Sequence, residues 1–224
     1  MDNTINNELQ KPEVQITNQT KGFHYIYVIS LLYVLSIYLV PVIVFTLTSK
    51  DIKIADKLFG IPVIIGIVNC IVSIKCCRPG NRIVLLNATV LIKYALIPFF
   101  IFNGCVSIIL LLFTFVPVPF MIFVGPAGFI LLSVVGWFVL VSGAPITISY
   151  LRVSAKEKLR PKAMVILHSL LQFFFVVDVI DVMVLTLKER KWKKLTITVI
   201  ILLGIFVLLM LILLVLAIIG ILRR

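Results

Sequence analysis

A chain of 224 residues that is 62% hydrophobic and only 13% charged carries too much apolar surface for a soluble domain, where about 45–50% apolar and about 25% charged is usual. Lipid is the solvent such a composition needs, and in lipid only helices or closed barrels satisfy their own backbone; the apolar runs are continuous and do not alternate over about 10 residues, which excludes barrel strands. The net charge of +12, from 21 basic and 9 acidic residues, sits in short loops between those runs, which is the positive-inside pattern of a membrane protein and not the footprint of a nucleic-acid binder.

Residues 1–22, MDNTINNELQKPEVQITNQTKG, are polar and slightly acidic. A secretory signal would begin basic and turn apolar early, so a disordered cytoplasmic tail is expected. The first apolar run is Phe23 to Leu47, with Pro41 as a kink. The loop SKDIKIADK follows, and then a second run from Leu58 to Ile74. Next comes KCCRPGNR, with Lys75, Arg78 and Arg82 and no acid. Cys76 and Cys77 make no CxxC pair and no zinc spacing; beside a membrane they could be acylated.

From Arg82 to Lys93 the chain can lie along the interface. Tyr94 to Val116 then spans, bent at Pro98, and PVPFMIFVGP (117–126) forms an exterior turn. Ala127 to Tyr150 returns. Two spans here, and not three, place KCCRPGNR and the next basic loop, RVSAKEKLRPK, on one side of the membrane. In the returning run Gly128, Gly136 and Gly143 are spaced by eight and seven. They share a helix face and read as a packing stripe, since small residues let backbones approach in lipid.

The run Ala163 to Leu187 is the least ordinary. It holds sixteen Leu, Ile, Val or Phe residues, which favour insertion by roughly 5–10 kcal/mol. Asp178 and Asp181, at about +3 kcal/mol each, with His168 and Gln172 beside them, cancel most of that. The reading is a single helix sheltered by neighbours. Basic stretches flank it: Arg152, Lys156, Lys158, Arg160 and Lys162 before, Lys188, Arg190, Lys191, Lys193 and Lys194 after. The last run, Leu195 to Leu222, has no ionisable side chain and should face lipid.

The fold class expected is therefore all-α: a polytopic integral membrane helix bundle of six hydrophobic helices, five or six of them spanning, with a cytoplasmic amino terminus. All of residues 23–222 form one transmembrane helical domain in this reading. The richness in Ile and Lys resembles that of small bacterial inner-membrane proteins, which points to a multi-pass protein of the cell membrane.

Within that bundle, His168, Gln172, Asp178 and Asp181, with Lys93 as counter-charge, are the candidate polar membrane site. Two explanations weigh about equally. Ion pairs inside a bundle can simply hold helices together, and ionisable groups within a membrane commonly mark ion or proton pathways. The loop bases from Lys75 to Lys194 named above are candidate contacts for anionic lipid headgroups, each contributing about 1 kcal/mol near a charged surface, or for a protein partner.

No HExxH, GxSxG or Walker sequence is present. Asp-Val-Ile-Asp is superficially similar to the acidic motifs of membrane prenyl- and alcohol-phosphate transferases, but those hold magnesium with more carboxylates than the two within this run. The expectation is a non-enzyme with no cofactor and no metal, whose partners are membrane lipids with anionic headgroups and either a second copy or a membrane partner subunit, and not nucleic acid. Its function is expected to be that of a transporter, a channel-like protein or a transport accessory subunit for a small solute or ion. The alternative is a non-catalytic accessory, immunity or sensor protein.

Overall fold

Long apolar runs with no competing polar partner for their backbone close their hydrogen bonds locally. In the computed structural model, which describes residues 24–48, 57–115, 118 and 120–222, every regular element among the described residues is a helix. In chain order these are α1 (His24–Thr48), α2 (Gly60–Lys75), α3 (Arg82–Phe113), α4 (Met121–Lys156), α5 (Lys162–Leu171), α6 (Val177–Lys188) and α7 (Lys193–Leu222). Four of them, α1, α3, α4 and α7, are long and apolar enough to cross a membrane. With 16 residues, α2 extends about 24 Å, a little short of a hydrocarbon core about 30 Å thick. The expected tail at 1–22, most of the loop after α1, and Pro117 and Pro119 of the expected exterior turn lie outside the described residues.

The chain forms two compact units, Met1–Val179 and Ile180–Arg224. In the first, α1 packs on α2 and α3, and α4 packs on α2 and α3, so the four helices close a ring; α5 packs on α4. On α1 the inward stripe is Ile26, Ser30, Tyr33, Ile37, Val40 and Val44, all buried, at the three- and four-residue steps of one helix face. The opposite side is as apolar: Val28, Leu32 and Leu39 are exposed, and Phe45 is 84% exposed. A helix hydrophobic all round needs an apolar surround as well as an apolar core, and α7 carries this furthest.

The glycine stripe of α4 packs against α3. A Cβ on Gly128 would come 3.0 Å from Leu110 Cδ1, one on Gly136 2.9 Å from Asn103 Nδ2, and one on Gly143 3.5 Å from Ile92 Cγ2. At the other interface of α3, Pro98 lies inside the helix and cannot donate to the carbonyl four residues back. Tyr38 of α1 repairs the disturbed turn: its hydroxyl donates to the Ala95 carbonyl at 2.7 Å and accepts the Phe99 N–H at 3.2 Å. Ala95 and Phe99 would otherwise bond to each other, so the phenol has inserted into the ladder, a recognised cause of helix bending.

In the second unit Val182 and Leu185 are fully buried, and the Thr186 and Thr196 hydroxyls, 3.1 Å apart, tie the end of α6 to the start of α7. The connection between them passes through Arg190 and Trp192, both at positive φ.

Three sequence expectations change. The stretch from Arg82 to Lys93 is not a separate interfacial segment; it is the first third of one 32-residue helix, because Lys93 finds a counter-charge inside the protein. The exterior turn is shorter than 117–126, since α4 begins at Met121 and runs through Pro126. The run Ala163 to Leu187 is not one helix. It breaks at 172–176 without glycine or proline, in a stretch of aromatic and β-branched residues of low helix propensity, and Val176 takes φ 66°. A β-branched residue in that region is strained. Val176→Gly is therefore expected to raise stability by about 1 kcal/mol, seen as a higher melting temperature of the purified protein in detergent.

Candidate functional site

The site begins with two charges that apolar helices cannot leave alone. Lys93 lies in the inward face of α3 and Asp178 in the first turn of α6. They are 2% and 0% exposed and form a salt bridge, Lys93 Nζ donating to Asp178 Oδ2. Asp178 also sits where the partial positive charge of the α6 amino terminus favours a carboxylate. Room for the ammonium comes from α4, where a Cβ on Gly143 would lie 3.9 Å from Lys93 Nζ.

The pair also fixes how the chain runs from α5 to Asp178. Three residues before Asp178, Phe175 packs edge-on against Phe100, with ring centroids 6.1 Å apart, and lies 3.4 Å from where a Cβ on Gly136 would stand. Phe100 is seven residues beyond Lys93 on α3, and Gly136 seven residues before Gly143 on α4. Each step is about 10 Å along its helix, in both cases away from the end that holds Arg82 and Glu157. The chain thus leaves that end through α5, turns at 172–176, and is already heading back when it reaches Asp178. Its 10 and 12 residues make α5 and α6 about 15 and 18 Å long, each about half a bilayer core.

The other expected members are buried as well. His168 is buried at 8% exposure in α5, and Gln172 is fully buried at its end, its Nε2 donating to the His168 carbonyl at 3.4 Å. Asp181, in the second unit, is buried at 5% exposure and shares the Asp178 face of α6, one turn on. The structure therefore pairs Lys93 with Asp178, places Gln172 on His168, and keeps all five of these side chains out of solvent. Among the described residues, no group of three or more His, Cys, Asp or Glu is arranged to hold a metal.

The two basic loops of the first unit meet. Glu157, the lone acid among them, joins Arg82 (Nε–Oε2 3.1 Å) and accepts the Gly80 N–H at 3.1 Å. Gly80 reaches it at φ 90°, a conformation open to glycine. Lys156 reaches the Cys77 carbonyl at 3.5 Å, and Arg160 lies over the Tyr150 ring, 5.8 Å from its centroid. Lys75, Arg78, Arg82, Arg152, Lys156, Lys158, Arg160 and Lys162 thus share one end of the bundle with a single acid, a net charge of +7. All are exposed except the half-buried Arg82 and Arg160. Lys188, Arg190, Lys191, Lys193 and Lys194, in the second unit, are exposed too. Acylation suits Cys76 poorly, since its sulfur is buried 3.1 Å from the Tyr25 hydroxyl.

Residues 20–194 match the Family of unknown function (DUF6652). The chain belongs to that family. The matched region contains Lys93, the turn at 172–176, both aspartates and the basic loops, and it ends as α7 begins. No curated protein and no solved structure matches the chain.

One group escaped the sequence reading. Ser30, Asn69, Thr89 and Thr147 are at most 1% exposed, and among the described residues their side-chain polar atoms have no hydrogen-bond partner. A signal was available on α2, where Gly66, Asn69 and Ser73 form a small and polar stripe at helical spacing in an otherwise apolar run.

Proposed function

We propose that this protein is a small multi-pass protein of the cell membrane that moves, or helps move, a small solute or ion. What carries the reading is the Lys93–Asp178 pair at the tip of a broken helix. Irregular backbone at membrane depth is tolerated where it is buried in protein or lines an aqueous cavity, and half-helices meeting charged groups near the midplane are the recurrent plan of transport sites. The chemistry asked of the pair is exchange, not catalysis: a bound cation or proton competes with Lys93 for Asp178, and Gln172 and His168, buried in the same unit, are the further polar groups the reading calls on.

In this reading α1, α2, α3, α4 and α7 cross the membrane and α5–α6 is a re-entrant hairpin, five crossings in place of six. The amino terminus and the loops at 75–82, 152–162 and 188–194 are cytoplasmic, as the positive-inside bias favours. A second reading, a non-catalytic accessory or sensor protein held on anionic headgroups, is favoured by the convergence of two basic loops on one +7 surface.

The Asp178→Asn, Asp181→Asn double variant separates the two. Reconstituted in vesicles holding a pH-sensitive dye, the parent protein is expected to pass protons or co-ions under an imposed gradient. The double variant, monodisperse and helical, is expected to fall to the level of empty vesicles. A folded double variant that matches its parent removes the transport reading and leaves the headgroup-binding one.

A further inference from the structure

Helix α3 grips the reversing chain at two points. Lys93 holds Asp178 in a buried salt bridge, and Phe100 packs edge-on against Phe175, with ring centroids 6.1 Å apart. Between these two residues of α3 lies its disturbed turn. Pro98 stands inside the helix, and the Tyr38 hydroxyl of α1 donates to the Ala95 carbonyl at 2.7 Å and accepts the Phe99 N–H at 3.2 Å.

The angles put the phenol behind the grips. At about 3.6 residues per turn, Phe100 lies about 20° round the helix from Lys93, whereas Ala95 and Phe99 lie about 200° and 240° round. A side chain inserted into the ladder opens that side of a helix and bends it. The opposite side, which carries Lys93 and Phe100, is therefore the inner side of the bend. For a kink of about 20°, the inner edge of a helix about 10 Å across is about 2 Å shorter than its axis. The step from Lys93 to Phe100 would be about 10 Å along a straight helix. The Phe175–Asp178 backbone that meets it can span at most about 11 Å. That backbone already carries the strain of Val176 at φ 66°, so it has little length to give.

We propose that Tyr38 is a positioning residue for the Lys93–Asp178 pair. Its phenol, wedged into the far side of α3, holds the bend that lets one helix grip Phe175 and Asp178 together. With the hydroxyl gone, the Phe99 N–H and the Ala95 carbonyl bond each other directly, α3 straightens, and the two grips move apart. A ring contact tolerates centroids from about 4.5 to 7 Å, whereas a hydrogen bond tolerates about half an ångström, so the ion pair registers the change. It is stretched and not broken, because separating two buried charges costs more than one backbone hydrogen bond returns. Helix α1 supplies neither charge and acts on the pair through α3. This coupling holds whether the pair serves transport or only structure.

The test uses the full chain in phosphatidylethanolamine–phosphatidylglycerol bilayers, with lysine labelled by 15N at Nζ and aspartate by 13C at Cγ. Solid-state spectra follow the dipolar transfer between Lys93 Nζ and Asp178 Cγ, assigned by its loss in Lys93→Arg. The coupling falls with the inverse cube of distance, so lengthening an ordinary salt bridge by about 1 Å lowers it about twofold. Tyr38→Phe is expected to show this fall. Tyr27→Phe removes a different α1–α3 hydrogen bond, the one its hydroxyl accepts from the Asn87 amide at 3.3 Å, and is expected to keep the parent's coupling. A Tyr38→Phe protein with the parent's coupling overturns the proposal, and so does an equal fall in Tyr27→Phe, which would mark a general loosening of α1. A parent with no transfer overturns the proposal together with the ion pair on which the proposed function rests.

Discussion

Lys93→Met is expected to lower stability by about 3–5 kcal/mol, since it leaves the Asp178 carboxylate buried without its counter-charge. Asp178→Leu alone should cost a similar amount by stranding the ammonium. The double variant Lys93→Met, Asp178→Leu should recover most of the loss, because a buried ion pair replaced by apolar groups of similar volume is often neutral or stabilising. Chemical denaturation of the four proteins in mixed micelles gives the coupling between the two sites. A coupling below about 0.5 kcal/mol, the level of independent sites, would show that Lys93 does not hold Asp178. The same double variant separates structure from function: it should fold, and under the transport reading it should pass nothing.

Gly125→Ala is the second large effect. A Cβ at Gly125 would stand 2.5 Å from Thr114 Oγ1, 2.6 Å from the Leu110 carbonyl oxygen and 3.0 Å from the Thr114 nitrogen. The hydroxyl can rotate, but the carbonyl belongs to α3 itself, so the start of α4 must move away from the end of α3. Overpacking of this kind costs about 1–3 kcal/mol. Gly104 and Gly204, whose Cβ positions meet nothing within 4 Å, provide the contrast. Gly104→Ala and Gly204→Ala should be neutral or gain up to about 1 kcal/mol from helix propensity. Melting temperatures of the three alanine variants should therefore fall on opposite sides of the parent. A Gly125→Ala protein that melts with the parent would mean that α3 and α4 are not in close contact at this end.

Much of the architecture could be read from residue order because the signals are local. Unbroken apolar runs dictated helices, and the stripe of Gly128, Gly136 and Gly143 pointed to a close helix neighbour, which is α3. Lys93 and Asp178 stood out as opposite charges in apolar surroundings, and the structure joins them. What stayed hidden depends on long-range placement. The break at 172–176 carries no glycine or proline, so its strain at Val176 shows only once Phe175 is seen packed against Phe100 and Asp178 against Lys93. The Gly66, Asn69 and Ser73 stripe of α2 went unread because the ring that buries it closes through α1 and α4, whose contacts are not local in sequence. Charge led to the expectation that 75–82 and 152–162 lie on one side, but not that they meet, with Glu157 as the fastener.

The phenol of Tyr38 has a mechanical consequence. The amide and carbonyl it bridges would be each other's partners in an undisturbed helix, so α1 supplies one link of its neighbour's backbone ladder. Sliding α1 along α3 would withdraw that link, and α3 would have to straighten at Ala95–Phe99 before the two groups could bond directly. These two helices are thereby keyed to each other at one level, so a shift of α1 along α3 and a change in the bend of α3 must occur together.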